Sequence, residues 1–227
     1  MDICAISEHW LFPHSLCFLG CIDNDFDYAA SADRALFAHP LPPRGQGGVA
    51  LLWRKSINAS VEVIDLDEDR IIGIKLNFKD SLPLFIFSVY LPPVNYDLDS
   101  FIQYIELLTD IFNTFSVMGN VIFMSYTGTR STRADYFQRL TDLHDLVAVN
   151  DKHCSSVQRY TFESFCGRNR SVIDYIFMPS DLVMQVTDCH VCDDNAYNLS
   201  DHLPVICNFN HNLGINCRSS TNQEHFN

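Results

Sequence analysis

The sequence predicts one α/β domain, and three observations lead to this. Several segments read as β-strands, because they alternate apolar and polar residues or are apolar throughout, and one long segment has helical spacing. Hydrophobic residues make up 47% and charged residues 19% of the 227 residues, which suits a packed core. Length alone fits one large α/β or all-β domain, or two small ones. No linker that would separate two domains interrupts the pattern.

The first half of the chain reads mainly as strands. Asp2–Ser7 is a short apolar strand, and residues 12–46, which proline and glycine interrupt repeatedly, read as an irregular connection. Further strands are expected at Gly47–Trp53, Val61–Ile64, Ile71–Asn77 and Leu84–Tyr90. The last of these is apolar nearly throughout, so we expect it to be buried on both faces.

The second half alternates helices with strands. Leu98–Phe115 carries apolar residues at helical spacing and predicts a helix, and Asp135–Leu143 predicts a shorter one. Strand-like segments follow at Asn120–Met124, Arg159–Phe162, Val172–Phe177, Val183–Cys192 and Pro204–Phe209. We expect the domain to cover residues 1–210 and the polar tail, residues 211–227, to be disordered.

Charge and composition exclude some classes of function. The formal net charge of −13 argues against binding through a broad basic surface, although a divalent metal supplies local positive charge for a nucleic-acid substrate. No apolar run reaches the roughly 18 residues of a membrane span, and the start lacks the basic region of a secretory signal. We therefore expect an intracellular protein, nuclear or cytoplasmic, with no membrane partner and no small-molecule cofactor. The oligomeric state stays open.

The nine cysteines are scattered and odd in number, so we interpret them as reduced and mostly buried thiols. Cys189-His190-Val191-Cys192 is the only Cys-x-x-Cys segment. A structural zinc site needs about four ligands, and no second pair at matching spacing is present. Zinc is therefore not expected.

Three segments carry candidate site residues. Glu8 follows an apolar strand, where α/β folds often keep their sites, although this segment alone fits a solvated loop glutamate better. Asp174 lies within an apolar strand, where a carboxylate is costly unless it is hydrogen-bonded or paired. Asp201 and His202 open the apolar run that ends at Cys207. Adjacent strand residues point to opposite faces, so these two share a target only where the chain bends.

Five motifs, in this order, resemble the endonuclease/exonuclease/phosphatase superfamily, over about residues 2–209 of the chain. They are Ser7-Glu8-His9-Trp10-Leu11, Gly47-Gly48-Val49-Ala50, Ser88-Val89-Tyr90-Leu91-Pro92-Pro93, Ser171-Val172-Ile173-Asp174-Tyr175 and Ser200-Asp201-His202-Leu203-Pro204. Within the superfamily, the chain most resembles the apurinic-endonuclease-like nuclease domain of non-LTR retrotransposons, which is associated with a reverse transcriptase.

The resemblance implies a four-layer α/β (α+β) sandwich, in which two packed mixed β-sheets are flanked by helices. It also implies hydrolysis of a DNA phosphodiester that depends on Mg²⁺ or Mn²⁺. Glu8 would be the main metal ligand, and Asp201 would help to arrange the metal and water. His202, oriented by Asp174, would lie against the scissile phosphate, which Tyr90 would also contact. Such a ligand set suits Mg²⁺, which often takes only one or two carboxylates and keeps several waters.

Two departures from the family pattern reduce the expected activity. The family carries Gly-Asp-Phe-Asn where this chain has Met124-Ser125-Tyr126-Thr127. Ser125 thus replaces the carboxylate that activates or positions water, and Thr127 replaces the amide. Losing a general base typically costs about 10²–10⁴ in rate. Met1 also stands almost directly on the strand that leads to Glu8, so we expect the family's first strand, with its asparagine, to be truncated or to lie upstream.

Two functional hypotheses remain open. The first is an enzyme acting on ester bonds, a metal-dependent endonuclease or phosphodiesterase with an intact fold and impaired or lost catalysis. The second is a non-catalytic remnant or binding module that keeps the fold alone. The matching acidic and histidine residues favour the first, whereas the two substitutions and the missing strand favour the second. An unrelated acidic α/β domain is the remaining alternative.

Overall fold

The computed structural model describes residues 1–34, 44–93, 95–126, 132–154, 160–164, 166–193 and 198–210. The strands in these ranges are β1 (Ile3–Ser7), β2 (Phe26–Ser31), β3 (Val49–Arg54), β4 (Ser60–Ile64), β5 (Ile71–Asn77), β6 (Leu84–Tyr90), β7 (Asn120–Tyr126), β8 (Leu146–Ala148), β9 (Phe162–Glu163), β10 (Arg170–Ser171), β11 (Asp174–Pro179), β12 (Val186–Val191) and β13 (Val205–Phe209). The helices are a 3₁₀ helix at Pro13–Cys21, α1 (Leu98–Phe115), α2 (Thr132–Leu143), α3 (Val149–His153) and α4 (Ser180–Val183). The tail predicted at 211–227 lies outside the described residues.

A six-stranded sheet, in the order β4-β5-β6-β7-β11-β8, forms the centre of the fold. Strands β6 and β7 are parallel, and the other neighbouring pairs are antiparallel. The parallel pair depends on α1, which provides the crossover that parallel neighbours require. The side chain of Asp97 caps the start of α1 by accepting a hydrogen bond of 2.7 Å from the backbone N–H of Ser100.

The second sheet layer consists of two groups, β1-β3-β2 and β12-β13. Side chains from both groups share one apolar core with the facing side of the six-stranded sheet. The described strands of both groups pair antiparallel, whereas the six-stranded sheet has both parallel and antiparallel neighbours. Antiparallel neighbours need no crossover helix of the kind that α1 provides for β6 and β7.

Strand β6 shows how the layers are held together, because all seven of its residues are buried. Its side chains alternate, so that Ile86 packs into the core between the sheets, whereas Phe85 and Phe87 pack against the helices. Helices α1 and α2 cover this outer face. The 3₁₀ helix covers the outer face of the three-stranded group. The predicted four-layer arrangement is therefore confirmed.

Residues 12–46 contain more regular structure than the irregular connection predicted there. The 3₁₀ helix starts at Pro13, whose fixed φ suits a first helical position, and β2 pairs along its whole length with β3. Two other boundaries also differ. Asp174 begins β11 rather than lying inside it, and the segment predicted as one strand at Val183–Cys192 divides into the end of α4 and β12.

The prediction that the cysteines are mostly buried is also wrong. In the described part of the chain, Cys189 is buried, whereas Cys17, Cys21 and Cys166 are exposed. Cys189 lies opposite Cys207 in the β12-β13 pair, and His190 contacts the carboxylate of Asp188 at 2.8 Å.

None of the described helices is long and apolar enough to cross a membrane.

The packing of Phe112 in the core beneath α1 predicts how much stability is lost when its side chain is truncated. Phe112 is 1% exposed and packs edge-on against Phe123. We expect Phe112→Ala to lower the free energy of unfolding by about 3–5 kcal/mol, because it removes a buried ring and leaves a cavity. Phe18, which is 63% exposed, is the matched control, and its change to alanine should stay within about 0.5 kcal/mol. Urea unfolding measures both, and equal losses would contradict the assignment of this core.

Candidate active site

The site residues predicted from the sequence come from strand ends that meet at one edge of the sheets. Glu8 directly follows β1, Tyr90 ends β6, Asp174 begins β11, and His202 lies shortly before β13. In the six-stranded sheet, Tyr90 and Asp174 both pair with Tyr126 of β7, one from each side. The structure therefore brings these residues together from distant parts of the chain.

Glu8 is held in an unusual backbone conformation. Its φ angle is +55°, and its N–H donates to the carbonyl oxygen of Gly48 at 2.8 Å. A positive φ is uncommon for a residue other than glycine and is often found at functional sites. The turn is continued by Trp10, whose N–H donates to Gly47 at 3.0 Å. The hydroxyl of Tyr90 then donates to Glu8 Oε1 at 2.7 Å, so both ends of the glutamate are fixed.

His9 supports this turn from inside. Its Nδ1 accepts a hydrogen bond of 3.1 Å from the N–H of Leu11, so its Nε2 carries the proton that it donates to the Ser31 carbonyl at 3.0 Å. Burial lowers the pKa of His9, although its hydrogen bonds to backbone groups oppose this. The ring also explains Gly48, which has φ +88°, because a Cβ there would lie 2.2 Å from the imidazole.

His202 and Asp174 form the second part of the site. His202 Nδ1 lies 2.9 Å from Asp174 Oδ2, and both side chains are about three-quarters buried. The pKa of His202 is raised above the usual value, because burial, which lowers it, is opposed by the hydrogen bond and the charge of Asp174. The charges of Asp201 and Glu8 act in the same direction, which sets both carboxylates within electrostatic range of the imidazole.

Asp201 takes a more open position than its neighbour. Its side chain is 51% exposed, and its Oδ1 lies 3.9 Å from His202 Nε2. The chain bends here, with the N–H of His202 donating to the hydroxyl of Ser200 at 3.0 Å. The bend lets two adjacent side chains face the same region, as the sequence requires if they are to share a target.

Two buried polar residues that the sequence analysis missed hold Asp174 in place. Thr161 is fully buried, and its hydroxyl accepts hydrogen bonds from the N–H groups of Ile173 and Asp174 at 3.0 and 3.1 Å. Its carbonyl oxygen accepts from Leu203 at 2.7 Å, beside His202. Asn150 donates to the Asp174 carbonyl at 2.9 Å. Although Thr161 falls in the strand-like segment predicted at Arg159–Phe162, nothing in the sequence indicates the role of either residue, because that role depends on long-range contacts.

The positions that depart from the family pattern are only partly described. Ser125 lies in β7, opposite Val89 of β6 and Tyr175 of β11, and so near the same edge of the sheet as Tyr90 and Asp174. Thr127 lies outside the described residues. The roles expected of both therefore stay predictions.

The carboxylates at this edge fit a hard divalent cation. Glu8 is partly buried and, in the part of the chain that the structure describes, takes part in no ion pair. Among the same residues, no group of three or more His, Cys, Asp or Glu side chains is arranged to hold a metal. A zinc-type cage is thus not seen there, whereas Mg²⁺ needs only one or two carboxylates, such as Glu8 and Asp201, with water.

A separate open groove lies at the other end of the six-stranded sheet. Ile57, Ala59 and Phe78 are among the residues that line it, and none of the candidate site residues does. The groove has no titratable residue other than Lys79 along its lining. Its chemistry therefore offers nothing comparable to the edge that holds Glu8 and His202.

The raised pKa of His202 leads to a prediction of how stability depends on pH. A histidine whose folded pKa exceeds its unfolded pKa stabilises the fold below the unfolded value, and this stabilisation is lost as pH rises through the folded value. Asp174→Asn should therefore lower the pKa of His202, and should destabilise the protein more at about pH 5.5 than at about pH 9. NMR titration and urea unfolding at both pH values measure this. The exposed Asp110→Asn is the control, and an unchanged His202 pKa in Asp174→Asn would contradict the contact.

Comparison with known proteins gives structural matches alone, since no family model and no curated protein matches the sequence. The 3′ phosphatase NExo from Neisseria, solved bound to a product DNA hairpin, is similar with a TM-score of 0.69 at 17% identity, over 92% of this chain and 89% of that one. The endonuclease domain of TRAS1, a telomere-specific non-LTR retrotransposon, is similar with a TM-score of 0.65 at 15% identity, over 92% of this chain and 85% of that one. An AP endonuclease from Archaeoglobus fulgidus is similar with a TM-score of 0.65 at 16% identity, over 92% of this chain and 88% of that one. The chain therefore has the fold of the endonuclease/exonuclease/phosphatase superfamily.

Proposed function

We propose that this protein is a divalent-metal-dependent phosphodiesterase that acts on DNA. The observation that carries the proposal is the meeting of two pairs at one edge of the sandwich. One pair is the Tyr90 hydroxyl on Glu8, at 2.7 Å, and the other is the His202 imidazole on Asp174, at 2.9 Å. A carboxylate for a cation thus lies within electrostatic range of an imidazole that favours its positive form.

Each side chain has a role that follows from its contacts. Glu8, with Asp201, would hold Mg²⁺ or Mn²⁺, which when bound neutralises charge that develops on phosphate oxygens. His202 donates a hydrogen bond from Nε2 to a non-bridging oxygen of the scissile phosphate in its positive form, which Asp174 favours by holding Nδ1. The hydroxyl of Tyr90 lies at the same point, where its single proton holds Glu8 or, when that donor turns, contacts the phosphate.

The substrate is proposed to be DNA rather than a small phosphoester. Proteins of the same fold include one solved with a DNA hairpin and the endonuclease domain of a non-LTR retrotransposon. The metal is important for this chain, since its net charge of −13 would otherwise repel a polyanion. We further propose a retrotransposon-type endonuclease as the origin of the domain, as the sequence motifs suggest.

We propose that catalysis is impaired, because Ser125 stands where the family has a carboxylate. A serine hydroxyl does not take a proton from water at neutral pH, so the activation of water is left without a general base at that position. This same feature favours the second candidate function, a DNA-binding module that keeps the fold without the chemistry. The two candidates differ in whether any metal-dependent strand cleavage remains.

Nicking of a supercoiled plasmid with Mg²⁺ or Mn²⁺ tests the proposal. We expect slow cleavage that EDTA abolishes and that His202→Ala lowers further, by about 10²–10³-fold, because the phosphate loses its charged hydrogen-bond donor. We expect Ser125→Asp combined with Thr127→Asn to raise nicking by about 10²-fold or more. Each single change should recover less than the pair, since the carboxylate and the amide act together.

The gain from the double change should vanish when Glu8→Ala removes the expected metal ligand. Phe18→Ala, at an exposed position of the 3₁₀ helix, serves as a preparation control. If the repaired protein binds DNA but still does not cut it, the phosphodiesterase proposal is wrong and the binding module is the better description.

A further inference from the structure

We propose that Arg70 forms a phosphate-binding subsite beside the candidate centre, which takes a backbone phosphate of the DNA strand next to the scissile one. The inference deepens the proposed function and rests on it. It assigns a role to an arginine that none of the sequence motifs contains.

Arg70 is fixed against the residues of the centre. It directly precedes β5, and its carbonyl oxygen accepts a hydrogen bond of 2.9 Å from the N–H of Tyr90. Its guanidinium carbon lies 4.9 Å from the ring centroid of Tyr90 and 4.7 Å from that of Tyr96. A cation at these distances is attracted by the ring faces. The Tyr90 hydroxyl in turn contacts Glu8, so the guanidinium is one side chain away from the proposed metal ligand.

One nitrogen of the Arg70 guanidinium lacks a hydrogen-bond acceptor. Arg70 Nη1 is buried and has no hydrogen-bond partner. Arg70 also forms no ion pair with any described residue, although Glu68 and Asp69 precede it in the chain. Asp69 pairs instead with Arg34 at 3.2 Å. A buried charged donor without an acceptor is costly, and such groups in a folded protein usually mark a site for water or a ligand.

Arg133 provides a contrast within the same region. It is 8% exposed, and its guanidinium donates to the backbone carbonyl oxygens of Pro92, Pro93, Tyr96 and Asp97. Arg133 is therefore a structural residue that fixes the segment carrying the Tyr96 ring. Arg70 lies against that ring, yet it is left without an acceptor.

Gly47 lies beside both Tyr90 and Arg70. A Cβ on this glycine, which has φ +56°, would lie 3.2 Å from the Tyr90 ring and 4.0 Å from Arg70 Nη1. A side chain here would therefore press against the Tyr90 ring that faces the guanidinium. Arg70 as a whole is only partly buried, and Tyr96, on its other side, is exposed, so the guanidinium lies near the protein surface.

Phosphate is the acceptor that this arrangement fits. The planar guanidinium offers a fork of N–H donors that matches phosphate oxygens, and stacking between two rings fixes its orientation in advance. The neighbouring centre is proposed to hold the scissile phosphate, and a DNA strand supplies another phosphate on either side of it. A chain as acidic as this one needs such local cations to keep a polyanion in register.

Binding of a short fluorescent DNA duplex tests the subsite without depending on catalysis. Fluorescence anisotropy is measured in Ca²⁺ over a series of KCl concentrations. We expect Arg70→Gln to weaken binding by about 10-fold and to reduce the slope of log K against log[salt] by about 0.9, the value for one lost phosphate contact. Arg70→Lys should keep the slope, since it keeps the charge, but should still bind more weakly, because it lacks the planar fork.

Arg54→Gln is the matched control. Arg54 is also stacked on an aromatic ring, Phe26 at 4.8 Å, but it ends β3 at the far end from the site, about 20 Å along the strand from Gly48. Its change should alter neither the affinity nor the slope. Thermal unfolding at each salt concentration checks that every variant is folded throughout the series, because a folded fraction that stays constant lowers the apparent affinity but leaves the slope unchanged.

The outcomes separate this inference from the proposed function. If Arg70→Gln keeps the wild-type slope, or if the wild type binds no DNA, the subsite is overturned. If Arg70→Gln reduces the slope as expected while the wild type shows no metal-dependent cleavage, the subsite stands and the phosphodiesterase proposal fails. If the wild type cleaves and the slope is unchanged, the phosphodiesterase stands and Arg70 has only a packing role.

Discussion

The hydrogen bond between His202 and Asp174 is the contact on which the candidate site depends. Asp174 begins β11 of the six-stranded sheet, whereas His202 precedes β13 in the facing layer. One short contact thus joins the two layers at the edge where the strands end. It also favours the positive form of the imidazole, since Asp174 opposes the burial that would otherwise lower the pKa of His202. A site built across two layers requires both layers to keep their relative position.

Buried hydrogen bonds provide that fixed position. Thr161 bonds to the backbone on both sides of the contact, at Asp174 and at Leu203, and is itself fully buried. On the opposite side, the turn after β1 is fixed by His9 and by the close approach of Gly48. The parallel pairing of β6 and β7 then brings Tyr90 to the same edge. The core sets the frame, and a few buried polar groups set the geometry of the site.

The sequence predicted the long elements well, because their patterns are local. Helix α1 and strands β5 and β6 have the predicted bounds, since helical spacing and apolar runs need no tertiary information. Strand β2 was missed because its short, alanine-containing sequence lies among turn residues and gains its stability from pairing with β3.

The candidate site was predictable only in part. Its acidic and histidine residues stand out in the motifs, whereas Thr161 and Arg70 do not. A threonine or an arginine in a polar segment usually faces solvent, and only the folded chain shows that one is fully buried and the other lacks an acceptor. Long-range contacts, which sequence spacing does not encode, decide both roles.

Titration of the isotope-labelled protein with Mn²⁺, followed by NMR, tests the central claim most directly. Unpaired electrons of the bound ion broaden the signals of nearby nuclei, so the first signals to be lost locate the ion. The account predicts early loss at Glu8, Asp201 and His202, with Glu8→Gln abolishing the effect at low Mn²⁺. Early loss at the acidic segment of residues 65–69, with Glu8 and His202 unaffected, would contradict it.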